Sequence, residues 1–158
     1  MIILEDSRQQ DGKHRNVHAF CKANGIRIIR TKLLVGDYTF PADQRICVDT
    51  KFGMSEVYSD LVSDHDRFHR EYALAQECGI KLVFLVEDKR IQTLDDVADW
   101  KNPLYAKWWD GEIGRKPRSS ASLAKQMETV AKRYGCEWHF CDPHETGLAV
   151  VNILTGGE

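Results

Sequence analysis

Hydrophobic positions in this chain fall into short apolar runs and longer amphipathic stretches. The run at residues 80–86, apolar except for Lys81, is typical of a strand buried on both faces of a sheet. Residues 64–77 instead place Phe68, Tyr72 and Ala75 on one stripe, which is the spacing of an amphipathic helix. Alternation between these two patterns along the chain predicts a sheet with helices packed against it.

Glycine and proline mark the ends of the predicted elements. Gly25, Gly79 and Gly135 fall where helices would end, and Pro143 falls at the first turn of the last helix. Strands are predicted at 1–5, within 25–34, at 37–40, 45–50 and 80–86, and at a sheet edge at 136–141; helices are predicted at 13–24, 54–62, 64–77, 94–100, 119–134 and 143–154. The pattern predicts an α/β fold, a small mixed β-sheet flanked by helices on both sides, in one domain over 1–158 with an insertion at about 88–118.

Composition narrows the class of protein. A chain of 158 residues with 42% hydrophobic residues can bury a full core. It contains no apolar stretch long enough to cross a membrane and no positively charged leader, so we expect neither membrane contact nor secretion. Five cysteines without a leader indicate reduced thiols and a cytoplasmic location. The net charge of −2 means that any nucleic-acid contact must come from local clusters of cations.

Two carboxylates and an amine lie on the predicted hairpin. Asp37 precedes its first strand, while Asp49 and Lys51 are two residues apart on the second and so share one face of the sheet. The side chain of Thr50 points the other way, but its carbonyl oxygen stays near both acids. Hard oxygen ligands of this kind suit Mg²⁺ or Mn²⁺, and a lysine beside them can orient an attacking water. The constellation predicts a metal-dependent nuclease.

An acid-any-lysine triplet also arises by chance at solvated strand ends. A second one, Glu87-Asp88-Lys89, follows the apolar run but has no paired acid before it. The first triplet is favoured because Gly36 and Asp37 precede it and a hairpin brings the two acids together.

The N-terminal strand also ends in charged residues, Glu5-Asp6-Ser7-Arg8, and here the sequence resembles the XPF-type nuclease domain of structure-specific endonucleases. The resemblance covers about residues 1–87. It is carried by three motifs and the residues after them: Asp6-Ser7-Arg8, Gly36-Asp37-Tyr38, Asp49 with Lys51, Asp60-Leu61 and Arg67.

This sequence departs from the family pattern at several positions. Thr50 replaces the arginine of the usual triplet, and Gln9 and Glu71 replace an acid and a glutamine. The gap after Lys51 is longer than usual, so either Glu56 or Asp60 can complete the acidic site. We expect no helix-hairpin-helix segment after the domain, and its absence would affect the selectivity for branched DNA more than cleavage.

The resemblance implies a restriction-endonuclease-like fold and a Mg²⁺- or Mn²⁺-dependent DNA endonuclease. We expect Asp37, Asp49 and the Thr50 carbonyl to bind the metal, and Asp6 to be an outer or second-metal ligand. Lys51 would position the water, and Arg8 and Arg67 would hold the phosphate. The expected substrate is branched, flapped or partly single-stranded DNA in repair or recombination, and the expected context is a phage or mobile element.

Two other functions remain open. One is a catalytically inactive DNA-binding or scaffolding module, since the family includes degenerate members. The other is a junction resolvase or restriction-type nuclease with the same core. The resemblance also implies a possible homodimer or partner protein bound through the nuclease domain.

Three of the four tryptophans lie in the stretch 100–118, among cations. The tryptophans can cover an apolar face or stack on unpaired bases. We predict DNA contacts for four of the five cations in this stretch: Lys107, Arg115, Lys116 and Arg118.

Cys136, His139, Cys141 and His144 have spacings that could suit zinc, but in a strand they face opposite sides. The alternative is an apolar strand before the last helix. His14 is interpreted as solvated or close to a phosphate rather than as a metal ligand.

Overall fold

Six strands form one mixed sheet in the computed structural model, which describes residues 1–9 and 12–157. The strands are β1 (Ile2–Asp6), β2 (Arg27–Thr31), β3 (Tyr38–Thr39), β4 (Ile46–Lys51), β5 (Lys81–Glu87) and β6 (Glu137–Cys141). Their spatial order is β2-β1-β3-β4-β5-β6. β3 is antiparallel to both of its neighbours, whereas the pairs β1–β2, β4–β5 and β5–β6 are parallel.

Helices cover both faces of the sheet. They are α1 (Arg15–Ala23), α2 (Met54–Tyr58), α3 (His65–Glu77), α4 (Leu94–Val97), α5 (Leu104–Trp109), α6 (Ser120–Tyr134) and α7 (Thr146–Thr155). Core residues of α1 and α7 pack against one face, and those of α2, α3, α4 and α6 pack against the other. No helix in the described ranges has the length and apolarity needed to cross a bilayer.

Alternation along the inner strands separates two hydrophobic cores. On β5, Phe84 joins the core beneath α3 and α6, whereas the next residue, Leu85, joins the core beneath α1 and α7. Cys47 and Val48 divide in the same way on β4. Because both faces are covered, β5 is buried along five consecutive residues, which explains its continuous apolar run.

The α/β class, the mixed sheet, the hairpin and the edge position of β6 are confirmed. Three local predictions differ from the structure. The first hairpin strand is only two residues long, and the helix predicted over 54–62 is α2 followed by a π turn at Ser59–Ser63. The segment expected to be irregular after residue 100 contains α5, whose side chains are all at least partly exposed and so leave no apolar stripe to detect. A short 3₁₀ turn, Pro143–Glu145, precedes α7.

Candidate active site

Strand pairing aligns the three aspartates predicted for the site. The amide of Asp6, at the end of β1, donates to the carbonyl oxygen of Asp37 at 2.8 Å. The amide of Asp37 in turn donates to the carbonyl oxygen of Val48 at 2.8 Å, and Asp49 is the next residue of β4. The backbone ladder therefore places residues separated by more than forty positions at one point of the sheet.

Gly36 makes the turn into Asp37 possible. Its φ of +70° lies in the left-handed region that glycine adopts freely. A Cβ atom built there would lie 3.1 Å from the Val48 carbonyl oxygen and 3.2 Å from the Cys47 Cβ. The Gly36 amide also donates to Glu71 Oε1 at 3.1 Å, which ties the turn to α3.

Asp37 is buried and held by Thr50 and Gln9. Its Oδ2 accepts hydrogen bonds from the Thr50 amide at 2.9 Å and the Thr50 hydroxyl at 2.6 Å, and its Oδ1 accepts one from the Gln9 side chain. Burial raises the pKa of the Asp37 carboxyl, although the bonds from Thr50 oppose that change. The amide and hydroxyl of Thr50 are the groups that bond to the Asp37 carboxylate, and the Thr50 carbonyl stays a predicted metal ligand.

Lys51 lies between two buried acids. Its Nζ is 3.0 Å from Asp49 Oδ2 and 2.7 Å from Asp60 Oδ2. Burial alone would lower the pKa of the amine, but Asp49 and Asp60 outweigh it and raise that pKa above its ordinary value. The amine is therefore a protonated donor rather than a base. Its Nζ also lies 4.8 Å from the centre of the Phe68 ring, so packing and charge together hold it in place.

The surroundings of Asp49 disfavour a negative charge on its carboxyl group. Burial raises the pKa of its carboxyl well above the ordinary value, and the nearby Asp37 and Glu71 raise it further, against the effect of Lys51. Asp49 Oδ2 and Asp60 Oδ2 are buried and share one ammonium group, that of Lys51, at 3.0 and 2.7 Å. A buried carboxylate that shares its cation with a second acid is a ready ligand for a divalent metal ion.

These residues open into a cleft of 520 Å³. Its acidic lining residues are Asp6, Asp37, Asp49, Glu56 and Glu71, and its basic ones are Arg8, Lys13, Lys51, Arg67 and Arg70. The three aspartates and Lys51 are buried at its base, while the arginines are exposed at its rim. The base of the cleft thus suits a cation, and the rim suits an anion.

The donor set fits Mg²⁺ or Mn²⁺ better than a metal that needs many protein ligands. No group of three or more His, Cys, Asp or Glu side chains within residues 1–9 and 12–157 has the arrangement of a metal site. Mg²⁺ needs no such group, because it keeps several waters and uses one or two carboxylates together with substrate phosphates. Asp37 and Asp49 can supply those carboxylates.

The four residues with zinc-like spacing do not gather around one point. Cys136 Sγ contacts the Val130 carbonyl oxygen, Cys141 Sγ contacts the Thr146 hydroxyl, and His139 bonds to Glu137. The alternative reading, an apolar strand before the last helix, describes β6, where Trp138 is buried.

The cations predicted to contact DNA divide into two groups. Arg8 and Arg67 line the cleft; Arg8 Nε is 2.9 Å from Asp6 Oδ2, and one terminal nitrogen of Arg67 is 2.9 Å from Asp60 Oδ1. These contacts hold both guanidinium groups at the rim with about half of each side chain exposed.

The second group lies elsewhere. Lys107, Arg115, Lys116 and Arg118 are absent from the residues that line the cleft. Among the neighbouring tryptophans, Trp100 is buried, Trp108 is half-buried and Trp109 is exposed, so one side chain packs in the core while another is free for contact.

Several cleft residues lay outside the predicted site. Lys13 and Arg70 belong to no motif, and Gln9 stands where the family pattern has an acid; only the folded chain brings these three residues to the acids. Lys13 Nζ lies 3.3 Å from Glu56 Oε1, and Glu56 lines the cleft, whereas Asp60 is the acid that pairs with Lys51. Both candidates for the remaining acid are thus near the site, in different positions.

His14 is buried rather than solvated. Its Nδ1 lies 3.4 Å from the Thr50 hydroxyl, and its ring meets the Tyr38 ring edge-on at 5.2 Å. Burial first, and then the neighbouring Lys13 and His18, lower the pKa of His14 to about 4.

No protein-family model matches the chain, and no curated protein sequence matches it either. Among solved structures it is similar to XPF from Aeropyrum pernix, with a TM-score of 0.66 and 19% identity over 98% of this chain. The structure of XPF from Aeropyrum pernix in complex with DNA gives a TM-score of 0.64 at 19% identity. The chain spans 63% of each of those XPF chains. At this identity the likeness shows the fold, and it confirms the XPF-like, restriction-endonuclease-like architecture that the motifs predicted.

Proposed function

We propose that this chain, which has the XPF-like nuclease fold, is a metal-dependent endonuclease that hydrolyses phosphodiester bonds in DNA. The observation that carries the proposal is the convergence of Asp37, Asp49 and Lys51 at the base of one cleft. Two buried acids with raised pKa values and a fixed ammonium group are an unfavourable arrangement for stability alone. Their cost is understandable if a cation and a phosphate complete the site.

Asp37 and Asp49 are the residues that would hold Mg²⁺ or Mn²⁺, with the Thr50 carbonyl as a further ligand and Asp6 as an outer one. A bound divalent cation supplies Lewis acidity and lowers the pKa of a bound water. The amide and hydroxyl of Thr50 orient the Asp37 carboxylate. Arg8 and the Leu33 amide orient Asp6 in the same way, since both donate to its carboxylate.

Lys51 acts as a fixed positive donor. Because Asp49 and Asp60 keep it protonated, it can donate a hydrogen bond to the attacking water or to a phosphate oxygen, but it cannot remove a proton. Its position is set before substrate arrives, which is the condition under which a buried charge stabilises a transition state most.

The basic residues at the rim of the cleft suit the phosphate backbone of a nucleic acid. Arg8, Lys13, Arg67 and Arg70 surround the acids, and arginine forks bind phosphate through two parallel hydrogen bonds. The similarity to an XPF structure that contains DNA supports DNA as the polymer. Preference for branched, flapped or partly single-stranded DNA, and a role in repair or recombination, belong to the same proposal.

A cleavage assay tests the proposal. Purified protein is incubated with forked, flapped, single-stranded and duplex DNA in Mg²⁺, in Mn²⁺ and in chelator, and the products are resolved on denaturing gels. We expect metal-dependent cuts by the wild type. The variants Asp37→Asn and Asp49→Asn should be slower by more than about a hundredfold, since even residues behind metal ligands contribute 10- to 100-fold.

Asp66→Asn is the matched control, because Asp66 is a fully exposed aspartate outside the cleft. It should cut at the wild-type rate. Full activity in the double variant at positions 37 and 49 would refute the site.

One observation favours a non-catalytic module as the second candidate. The Asp37 carboxylate already accepts three hydrogen bonds, one from Gln9 and two from Thr50, which leaves about one acceptor site, on Oδ1, for a ligand. Metal-independent DNA binding without any cut would support that candidate. Selective cutting of four-way junctions would instead identify a resolvase.

A further inference from the structure

A short helix outside the cleft exposes aromatic side chains. None of the six residues of α5 is fully buried, and Trp109 is 81% exposed. The Trp108 and Trp109 rings lie 5.6 Å apart, with their planes tilted by 69°. An exposed indole of this size forgoes the stabilisation that burial would give, so its position favours a binding role.

Cations without acid partners surround these rings. Lys116 Nζ lies 5.4 Å from the centre of the Trp108 ring. Within the described ranges, the side chains of Lys107, Arg115 and Lys116 form no ion pair, whereas Arg45, Lys81 and Lys132 on other surfaces each pair with an acid. Asp110 and Glu112 are also in the segment, but neither pairs with these cations. The unpaired positive charge is complementary to phosphate.

Hydrogen bonds and ring contacts fix the conformation of the segment at residues 100–118. The Tyr105 hydroxyl donates to the Pro117 carbonyl oxygen at 3.1 Å, and the Arg118 amide donates to the Tyr58 hydroxyl at 2.9 Å. Buried Trp100 packs against Tyr58, with ring centres 6.2 Å apart. These contacts fix both ends of the segment, so the exposed rings are presented in a defined orientation.

The surface around α5 is separated from the acidic cleft by one helix, α2. A second cleft of 410 Å³ is lined by Ser55 and Tyr58 of α2 and by Lys107 of α5, whereas Glu56 of α2 lines the acidic cleft. The width of a helix, about 10–12 Å, corresponds to about three nucleotides at 3.4 Å each. A strand that enters the acidic cleft can therefore reach α5 within a few nucleotides.

We propose that Lys107, Trp108, Trp109, Arg115 and Lys116 form a Trp–Lys platform that binds a single-stranded segment of DNA next to the cut. Unpaired bases stack on the exposed indole, and the cations contact the flanking phosphates. A paired duplex cannot offer its base faces to Trp109, so the platform selects DNA with unpaired nucleotides. This inference rests on the proposed function, whose substrate it specifies.

Fluorescence anisotropy in chelator tests the platform without cleavage. A labelled oligothymidylate and a duplex of equal length are titrated with wild type, Trp109→Ala, Trp109→Phe, Lys116→Gln, and the controls Leu148→Ala and Lys22→Gln. Leu148 is an exposed apolar residue and Lys22 an exposed lysine, and they lie on α7 and α1, whose core residues pack against the other face of the sheet.

Trp109→Ala should weaken single-strand binding about fivefold or more, leave duplex binding unchanged, and be largely rescued by phenylalanine. Lys116→Gln should lower the slope of log affinity against log salt by about 0.7. Neither control should change the affinity.

Three results would overturn the platform: an unchanged single-strand affinity in Trp109→Ala, an equal loss for single strand and duplex, or no DNA binding together with self-association that Trp109→Ala abolishes. The last would identify a protein-docking surface. A platform that behaves as expected in a protein that never cuts DNA would contradict the proposed function alone.

Discussion

At the scale of single residues, the surroundings of Lys51, Asp37 and Asp49 shift the pKa values of these three groups. Asp49 and Asp60 keep Lys51 protonated, while burial raises the pKa of Asp37 and Asp49. These pKa values are raised because the buried site offers one ammonium group, which is too little positive charge to stabilise several carboxylates. That shortage is the physical reason to expect a divalent cation there.

Lys51 can be tested by two variants. Lys51→Met removes the ammonium group and leaves Asp49 and Asp60 without their shared cation. We expect the free energy of unfolding at pH 7 to fall by about 3 kcal/mol, and cleavage to slow by about 10²- to 10³-fold. Urea unfolding and single-turnover cleavage measure the two effects.

Lys51→Arg keeps the charge and should regain most of the stability, but its planar fork cannot take the place of the ammonium group, so cleavage stays slow. Near-wild-type turnover of Lys51→Met would show that the amine does not act on the reaction.

His14 predicts a dependence of stability on pH. Its pKa in the folded protein is about 4, below the ordinary 6.5, so between these values the unfolded chain binds a proton that the folded protein does not. Stability should therefore fall as the pH drops from 6.5 to 4, by about 3 kcal/mol from this residue. Urea unfolding across that range, in chelator, measures it.

Asp37 and Asp49 have raised pKa values and act in the opposite direction, so the useful quantity is the difference between wild type and His14→Gln. That difference should shrink steadily toward pH 4. Parallel curves for the two proteins would contradict the burial of a neutral His14.

The residue patterns predicted part of the site because that part is local. Asp49 and Lys51 share a face by strand alternation alone, and Asp37 joins them through a hairpin. Lys13 and Arg70 come from a loop and a helix, and nothing in their spacing indicates the cleft. Their placement depends on tertiary packing, which a single sequence does not display.

At the scale of elements, the turn before β3 positions Asp37 and the π turn after α2 positions Asp60 in the candidate site. The π turn carries Asp60 into contact with Lys51, and the α helix predicted over 54–62 does not anticipate it. Turns of this kind are commonly found at functional sites. The apolar pattern predicted a helix here. It does not distinguish a π turn from an α turn, because the two differ by only one residue per turn.

The turn at Gly36 can be tested against a matched glycine. Gly36→Ala meets both an unfavourable φ and the nearby Val48 carbonyl oxygen, so we expect a loss of about 2 kcal/mol in the free energy of unfolding and slower cleavage. Gly79 has a similar φ of +67° but no atom within 4 Å of the added Cβ. Gly79→Ala should lose about 1 kcal/mol and retain activity. Thermal unfolding and the cleavage assay compare the two; equal losses would show that close packing at Gly36 is unimportant.

At the scale of the whole molecule, the net charge of −2 does not describe the cleft, where acidic and basic residues are separated in space. Acids lie at the base of the cleft and cations at its rim, so the local field differs from the average. The order of apolar and amphipathic segments predicted the mixed sheet and its two helical layers. It could not predict the clefts, because their walls come from elements distant in the chain.

Diffraction from crystals soaked in Mn²⁺, measured at the manganese absorption edge, tests the central claim most directly. The account predicts one anomalous peak at the base of the cleft, within about 2.5 Å of carboxylate oxygens of both Asp37 and Asp49, and no such peak in Asp49→Asn crystals. A peak bound elsewhere, or an empty cleft at saturating Mn²⁺, would contradict it.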